Sequence, residues 1–139
     1  MAAELNGAYK ITNRTGPLLS LTGPDNPVVV WPEKGATLWM VTQEPEGTAF
    51  ISVVGSQSSL GYYGSAVDLQ ALTVGPAVEW ELRESTEESH FYLVVPGGPI
   101  DGNELVVDLS PLQKFPPQAV LRPIRPDDLS QTWYFEPSE

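Results

Sequence analysis

His90 is the sole imidazole in the chain, and it closes the run Glu84-Ser85-Thr86-Glu87-Glu88-Ser89, which reads as a solvated loop. A Ser–His or metal–His centre needs ordered partners, and none is evident around it. The chain holds no cysteine, so a disulfide framework, a thiol nucleophile and a thiolate metal site are all absent. Pairs of carboxylates occur among its 18 Asp and Glu residues. A glycosidase, however, needs two of them held at a fixed separation, which spacing in sequence does not supply. The expectation is a protein that is not an enzyme and uses no cofactor and no metal.

Recognition chemistry is better represented. Tyr62 and Tyr63 lie between Gly61 and Gly64, where low backbone bulk lets a ligand approach. Adjacent strand residues face opposite ways, so one ring is expected in the core and the other open to stack on a sugar. The plainer alternative is that both rings pack a hairpin. A second chemistry is protease inhibition, which needs a stiff, exposed loop. In Leu112-Gln113-Lys114-Phe115-Pro116-Pro117 the prolines restrict the backbone, Lys114 suits a trypsin-like pocket and Phe115 a chymotrypsin-like one. Arg125 and Asn26, the latter addressing an asparagine-specific protease, are weaker candidates because Pro126 and Pro27 follow them. A Pro-rich loop that only connects two strands is the commoner meaning of such sequence.

Composition bounds these options. At 139 residues one domain is expected, 1–139, able to bury roughly two-thirds of its unfolded surface. The net charge of −11 argues against nucleic acid and against an anionic membrane, and favours a neutral glycan over a sulfated or sialylated one. The first residues lack the basic and apolar regions of a signal peptide, and no stretch is long and apolar enough to span a bilayer. A soluble cytoplasmic protein is the expectation. With 12 Gly and 14 Pro, many short strands joined by turns fit better than long helices.

The elements that would position these residues repeat along the chain. Leu38-Trp39-Met40-Val41, Glu79-Trp80-Glu81-Leu82 and Gln131-Thr132-Trp133-Tyr134-Phe135 each set a Trp two residues before an apolar partner, on one face of a strand. Tyr9, Phe50 and Phe91 open earlier strands at intervals of 41 residues. Trp39 and Trp80 follow their aromatics by 30 residues, and Trp133 follows Phe91 by 42, an insertion that loops accommodate. Four strands per unit, in units of about 8–44, 49–85 and 90–137, make twelve strands and an all-β β-trefoil. A seven-strand sandwich does not account for the period. Each Trp should lie near a pseudo-threefold axis, buried with Tyr9, Phe50 or Phe91 of its own unit.

The repeat itself resembles that of ricin B-chain-like lectins, which runs Leu-Asp-Val, a turn, Val-x-Leu, then Gln-x-Trp. Its counterparts are Leu18-Leu19-Ser20-Leu21, Val28-Val29-Val30-Trp31 and Leu38-Trp39 in the first unit. In the third they are Val107-Asp108-Leu109, Ala119-Val120-Leu121 and the intact Gln131-Thr132-Trp133. The resemblance implies an Asp on the second strand and an aromatic near the third as a sugar site. Asp108 matches that Asp in the third unit, where Arg122 replaces the aromatic. Trp31 matches the aromatic in the first, where Ser20 replaces the Asp, and the second unit keeps neither.

Two groups of fungal β-trefoils are also similar. Nematotoxic fucose-directed lectins share an opening like Gly7-Ala8-Tyr9-Lys10-Ile11-Thr12-Asn13-Arg14 and a stretch like Leu60-Gly61-Tyr62-Tyr63-Gly64. That resemblance implies a stacking ring near Tyr62, with Ala77, Val78 and Glu79 contributing from before Trp80. Cospin and mycocypin protease inhibitors share the Tyr-x-Ile-x-Asn start and the Trp-centred fourth strands. The expected function is thus a non-catalytic, defence-related fungal lectin for a neutral glycan or glycoprotein, a homo-oligomer being one route to avidity. The alternative is a protease inhibitor. A third reading is a scaffold without sugar binding that contacts another protein.

Overall fold

The structure is a computed structural model, and it describes residues 6–13, 18–20, 28–30, 38–44, 48–54, 59–62, 68–75, 78–87, 90–96, 104–111, 118–125 and 131–137. Its strands are β1 (Asn6–Thr12), β2 (Leu18–Ser20), β3 (Val28–Val30), β4 (Trp39–Gln43), β5 (Thr48–Val53) and β6 (Ser59–Gly61). They continue as β7 (Thr73–Gly75), β8 (Trp80–Glu84), β9 (His90–Val94), β10 (Leu105–Leu109), β11 (Ala119–Pro123) and β12 (Trp133–Pro137). No α-helix occurs among the described residues.

Six strands close on themselves. β1 pairs with β4, β4 with β5, β5 with β8, β8 with β9, β9 with β12, and β12 returns to β1, all antiparallel. Closure leaves no open edge in this ring. The hairpins β6–β7 and β10–β11 extend from β5 and β9 and complete a ten-stranded sheet, while β2–β3 forms a separate pair. A closed barrel capped by hairpins is the β-trefoil arrangement.

Alternation along the fourth strand of each unit explains the interior. Trp39 and Val41, Trp80 and Leu82, and Trp133 and Phe135 are buried, while the residues between them face outward. The three Trp side chains are fully buried. Each must satisfy its indole N–H, and the Trp80 and Trp133 nitrogens donate to the carbonyls of Leu60 (2.9 Å) and Val107 (3.0 Å). These bonds tie the hairpins to the barrel. Phe135 meets Tyr9 and Phe91 edge to face, at centroid distances of 5.9 and 5.6 Å.

The register corrects one expectation. Tyr9 lies opposite Trp39 and Phe91 opposite Trp133, but Ala49, not Phe50, lies opposite Trp80. Ala49 and Ile51 are buried and Phe50 is turned to the other face, because a shift of one residue reverses every side chain on a strand. The ring beside Trp80 comes instead from Tyr62, edge to face at 6.0 Å.

The stretch over 69–74 divides in two. Only its end belongs to β7. Leu69 has φ 71°, and from there to Leu72 the chain pairs with the third unit: Leu69 N–H donates to Leu121 O (2.7 Å), Leu121 N–H to Gln70 O (2.9 Å), and Leu72 N–H to Ala119 O (3.0 Å). Val28 N–H donates to Leu72 O (2.9 Å), and Val29 bridges Gln118. The three hairpins thus join around the fully buried Val28, Leu72 and Ala119.

Candidate functional site

The inward residues of β10–β11 are Leu105, Val107, Ala119 and Leu121, all in the main core. By alternation the outward ones are Val106, Asp108, Val120 and Arg122, with Asp108 opposite Val120 and Val106 opposite Arg122. Val106 joins Tyr92, Val94 and Ile124 in a small apolar cluster outside the barrel, so Asp108 stands at the margin of a covered surface. It retains only 8% of its exposure.

A carboxylate that deep needs partners. Asp108 Oδ1 accepts from Leu109 N–H at 2.7 Å, and Oδ2 accepts from Gln131 Nε2 at 3.1 Å. The Arg125 guanidinium adds a longer contact to Oδ2, 3.4 Å. Gln131 is fully buried and fully used: Nε2 also donates to Pro123 O (3.0 Å), and Oε1 accepts from Arg125 N–H (2.8 Å). Two donors and one acceptor on one rigid amide are needed here, which is why glutamine suits the position. The amide links the entry to β12, the exit from β11 and the end of β10. It thereby fixes the direction of the Asp108 carboxylate before any ligand arrives.

Arg122 lies diagonally from Asp108 on the same face. Its Nε approaches Asp68 Oδ1 of the second unit at 3.0 Å, yet that buried N–H has no aligned acceptor. We read the contact as a charge pair rather than a directed hydrogen bond, since distance alone does not make one.

The other candidates separate. Tyr62 is half-buried, faces the core as Leu109 does in the third unit, and burial pushes its phenol pKa up. Val78 packs against the same core. Glu79 is exposed, with its carboxylate accepting from Thr48 Oγ1 at 2.7 Å. The structure thus sets the Tyr62 ring against Trp80, while Val78 and Glu79 immediately precede Trp80 in the chain, one against the core and the other at the surface. In the first unit Leu19, not Ser20, holds the register of Asp108, because Leu19 is opposite Val29 and Ser20 opposite Val28. Arg125 is half-exposed, with its guanidinium against Asp108. Trp31, Tyr63, Gly64, Asn26, Lys114 and Phe115 lie outside the described residues. His90 opens β9, and its ring stacks on Tyr134 at 5.1 Å.

Sequence reasoning missed a concavity away from these residues. A groove of about 330 Å³ on the outside of the barrel is lined by Arg83, Glu84, Ser85, Thr86, Tyr92, Glu104 and Ile124. Arg83 is clamped between Glu104, at 2.8 and 2.9 Å, and Glu81, at 2.9 and 3.0 Å. Hydrogen bonding to Glu104 raises the Arg83 pKa above its ordinary range, and the guanidinium in turn holds Glu104 below the usual carboxylate value. Arg83 and Glu104 are 21 residues apart, and no motif announced them.

Comparison with solved structures places this architecture. Over 99% of the chain and all of the other, it is similar to a ricin B-like lectin from Macrolepiota procera in complex with lactose, with TM-score 0.77 and 20% identity. The Rhizoctonia solani agglutinin is similar at TM-score 0.74 and 14% identity, over 99% of both chains. ThreeFoil, a designed threefold-symmetric protein, is similar at 0.76 and 14%, over 96% of this chain and all of that one. No protein-family model and no curated protein matches the sequence. At these identities the likeness establishes the fold.

Proposed function

We propose that the protein is a non-catalytic carbohydrate-binding protein built from three four-strand pseudo-repeats, and that its principal site is the outer face of the β10–β11 hairpin. The observation that carries this reading is the Asp108 carboxylate, held in one orientation by Leu109 N–H and the buried Gln131 amide. A fixed acceptor with a guanidinium beside it matches the donors and acceptors of adjacent sugar hydroxyls. The local charges are paired, Arg125 with Asp108 and Arg122 with Asp68, and the chain carries −11 overall. Both facts favour a neutral glycan.

A lectin of the same fold carries lactose, which makes lactose a suitable first probe beside a glycan array. Asp108→Ala should reduce binding about ten- to a hundredfold, the worth of a hydrogen bond to a charged group. Intact folding should be verified by the tryptophan fluorescence of the variant. Equal affinity of the folded variant and the unsubstituted protein removes Asp108 from the site. A second site is proposed at Tyr62, whose half-buried ring meets Trp80 edge to face, with Val78 and Glu79 contributing from the residues before that Trp. Tyr63 and Gly64 would complete it.

A further inference from the structure

Arg122 stands on the outer face of the third hairpin, and the surface beyond it belongs to another repeat. The second unit's segment lies along the free side of β11: Ala71 bridges Val120, and Leu69 N–H bonds to Leu121 O. The register therefore runs in rows across three strands. Asp108, Val120 and Ala71 share one row, Val106 and Arg122 share the next, and Leu69 meets that end of β11 through its N–H on Leu121 O. Leu69 keeps 48% of its exposure and has φ 71°, a left-handed conformation that few residues other than Gly, Asn and Asp adopt. A large apolar side chain, exposed and held in a strained backbone, contributes nothing to the core. An outlier of that kind is grounds for a functional hypothesis.

We propose that the carbohydrate site of the third unit is composite, with the Asp68–Leu69 corner of the second unit forming its far wall. The proposal rests on the reading of Asp108 as the sugar acceptor. The charge contact to Asp68 braces the Arg122 guanidinium against β11, and Leu69 adds an apolar face beside it. Together they supply the flat, partly apolar platform that an aromatic side chain gives elsewhere in sugar sites. Asp108 and Leu69 are two strand spacings apart across the hairpin and about two residues apart along it, about 12 Å in all, wide enough for more than one sugar ring. The ligand class is thus a neutral oligosaccharide that bonds to Asp108 through one residue and lies on Arg122 and Leu69 with the next. A monosaccharide reaches only the first part.

Three variants, with Asp108→Ala as the reference, and two probe sizes test this by titration calorimetry against the best hit of a glycan array and its terminal monosaccharide. Leu69→Gly should hold or raise the denaturation midpoint, because it relieves the left-handed strain. It should also weaken oligosaccharide binding about five- to tenfold. Leu69→Asn, which tolerates the same backbone, should weaken binding equally. Arg122→Ala should do likewise, and monosaccharide affinity should be unchanged in all three. Full oligosaccharide affinity in the folded Leu69 and Arg122 variants, with binding still weakened in Asp108→Ala, overturns the composite site and leaves the Asp108 site standing. Absence of glycan binding by the unsubstituted protein removes that reading and the proposal with it.

Discussion

The second and third hairpins occupy equivalent places and have opposite interiors at their base. In the third, Asp108 and Gln131 form a buried polar node. In the second, the register of Asp108 is held by Gly61, and the position two residues before the strand Trp is held by Val78 instead of Gln131. The second hairpin fills its base with Tyr62 against Trp80, where the third has Leu109. One repeat gains stability from apolar packing. The other keeps polar groups that contribute little net stability when satisfied and cost much when broken. That asymmetry sets an aromatic pair in one unit against a buried polar node in the other, and the proposed site at Asp108 rests on the second.

The comparison can be broken hardest at the tryptophans, which both units share. Trp80→Ala or Trp133→Ala should each cost about 3–5 kcal/mol in urea unfolding, since each removes a fully buried side chain. Each also orphans a hairpin carbonyl. A loss below 1 kcal/mol at either site would mean the two units do not share one core. Next in size, Gln131→Val alone should cost about 1–3 kcal/mol, because the Asp108 carboxylate loses its buried donor. Adding Asp108→Gly, which copies the second unit, should recover part of that loss. Additive penalties in the double variant would sink the view of Asp108 and Gln131 as one node.

Tyr62→Leu, which copies the third unit, should cost about 1 kcal/mol, the worth of an aromatic pair, and leave binding at Asp108 untouched. The smallest expected effect lies in the Arg83 clamp. Glu104 has its folded pKa lowered by Arg83, so its contribution is fully present above the ordinary carboxylate range and fades as pH falls through the folded value. Unfolding midpoints of the protein and of Arg83→Leu, followed from pH 7 down to acid, should therefore converge as pH falls. A constant gap between them would assign the effect of Arg83 to packing alone.

The barrel was legible because an inward Trp between outward neighbours marks a strand and its face at once. The same rule misled at Phe50. Equal spacing between aromatics fixes a period but not a register, and pairing placed Ala49 against Trp80. Asp108 and Gln131 were each legible through the resemblance to the ricin B-like repeat, but their bond was not, because Gln131 precedes β12 and reaches a strand 23 residues earlier. Asp68, Leu69 and the Arg83 clamp were not legible, because they depend on which loop of one unit meets which strand of another. Short motifs within a unit do not carry that information.

The ring of six strands is sealed where β1 meets β12, with Tyr9 opposite Pro137 and Ile11 opposite Phe135. That seam joins segments more than a hundred residues apart. Its loop-closure entropy must be met before Trp133 and Phe135 can complete the core. Until β12 arrives, β1 and β9 each present an unpaired edge to any other strand nearby. Folding should accordingly be slow and end-limited, and a chain stopped short of Trp133 should aggregate rather than adopt a smaller version of the fold.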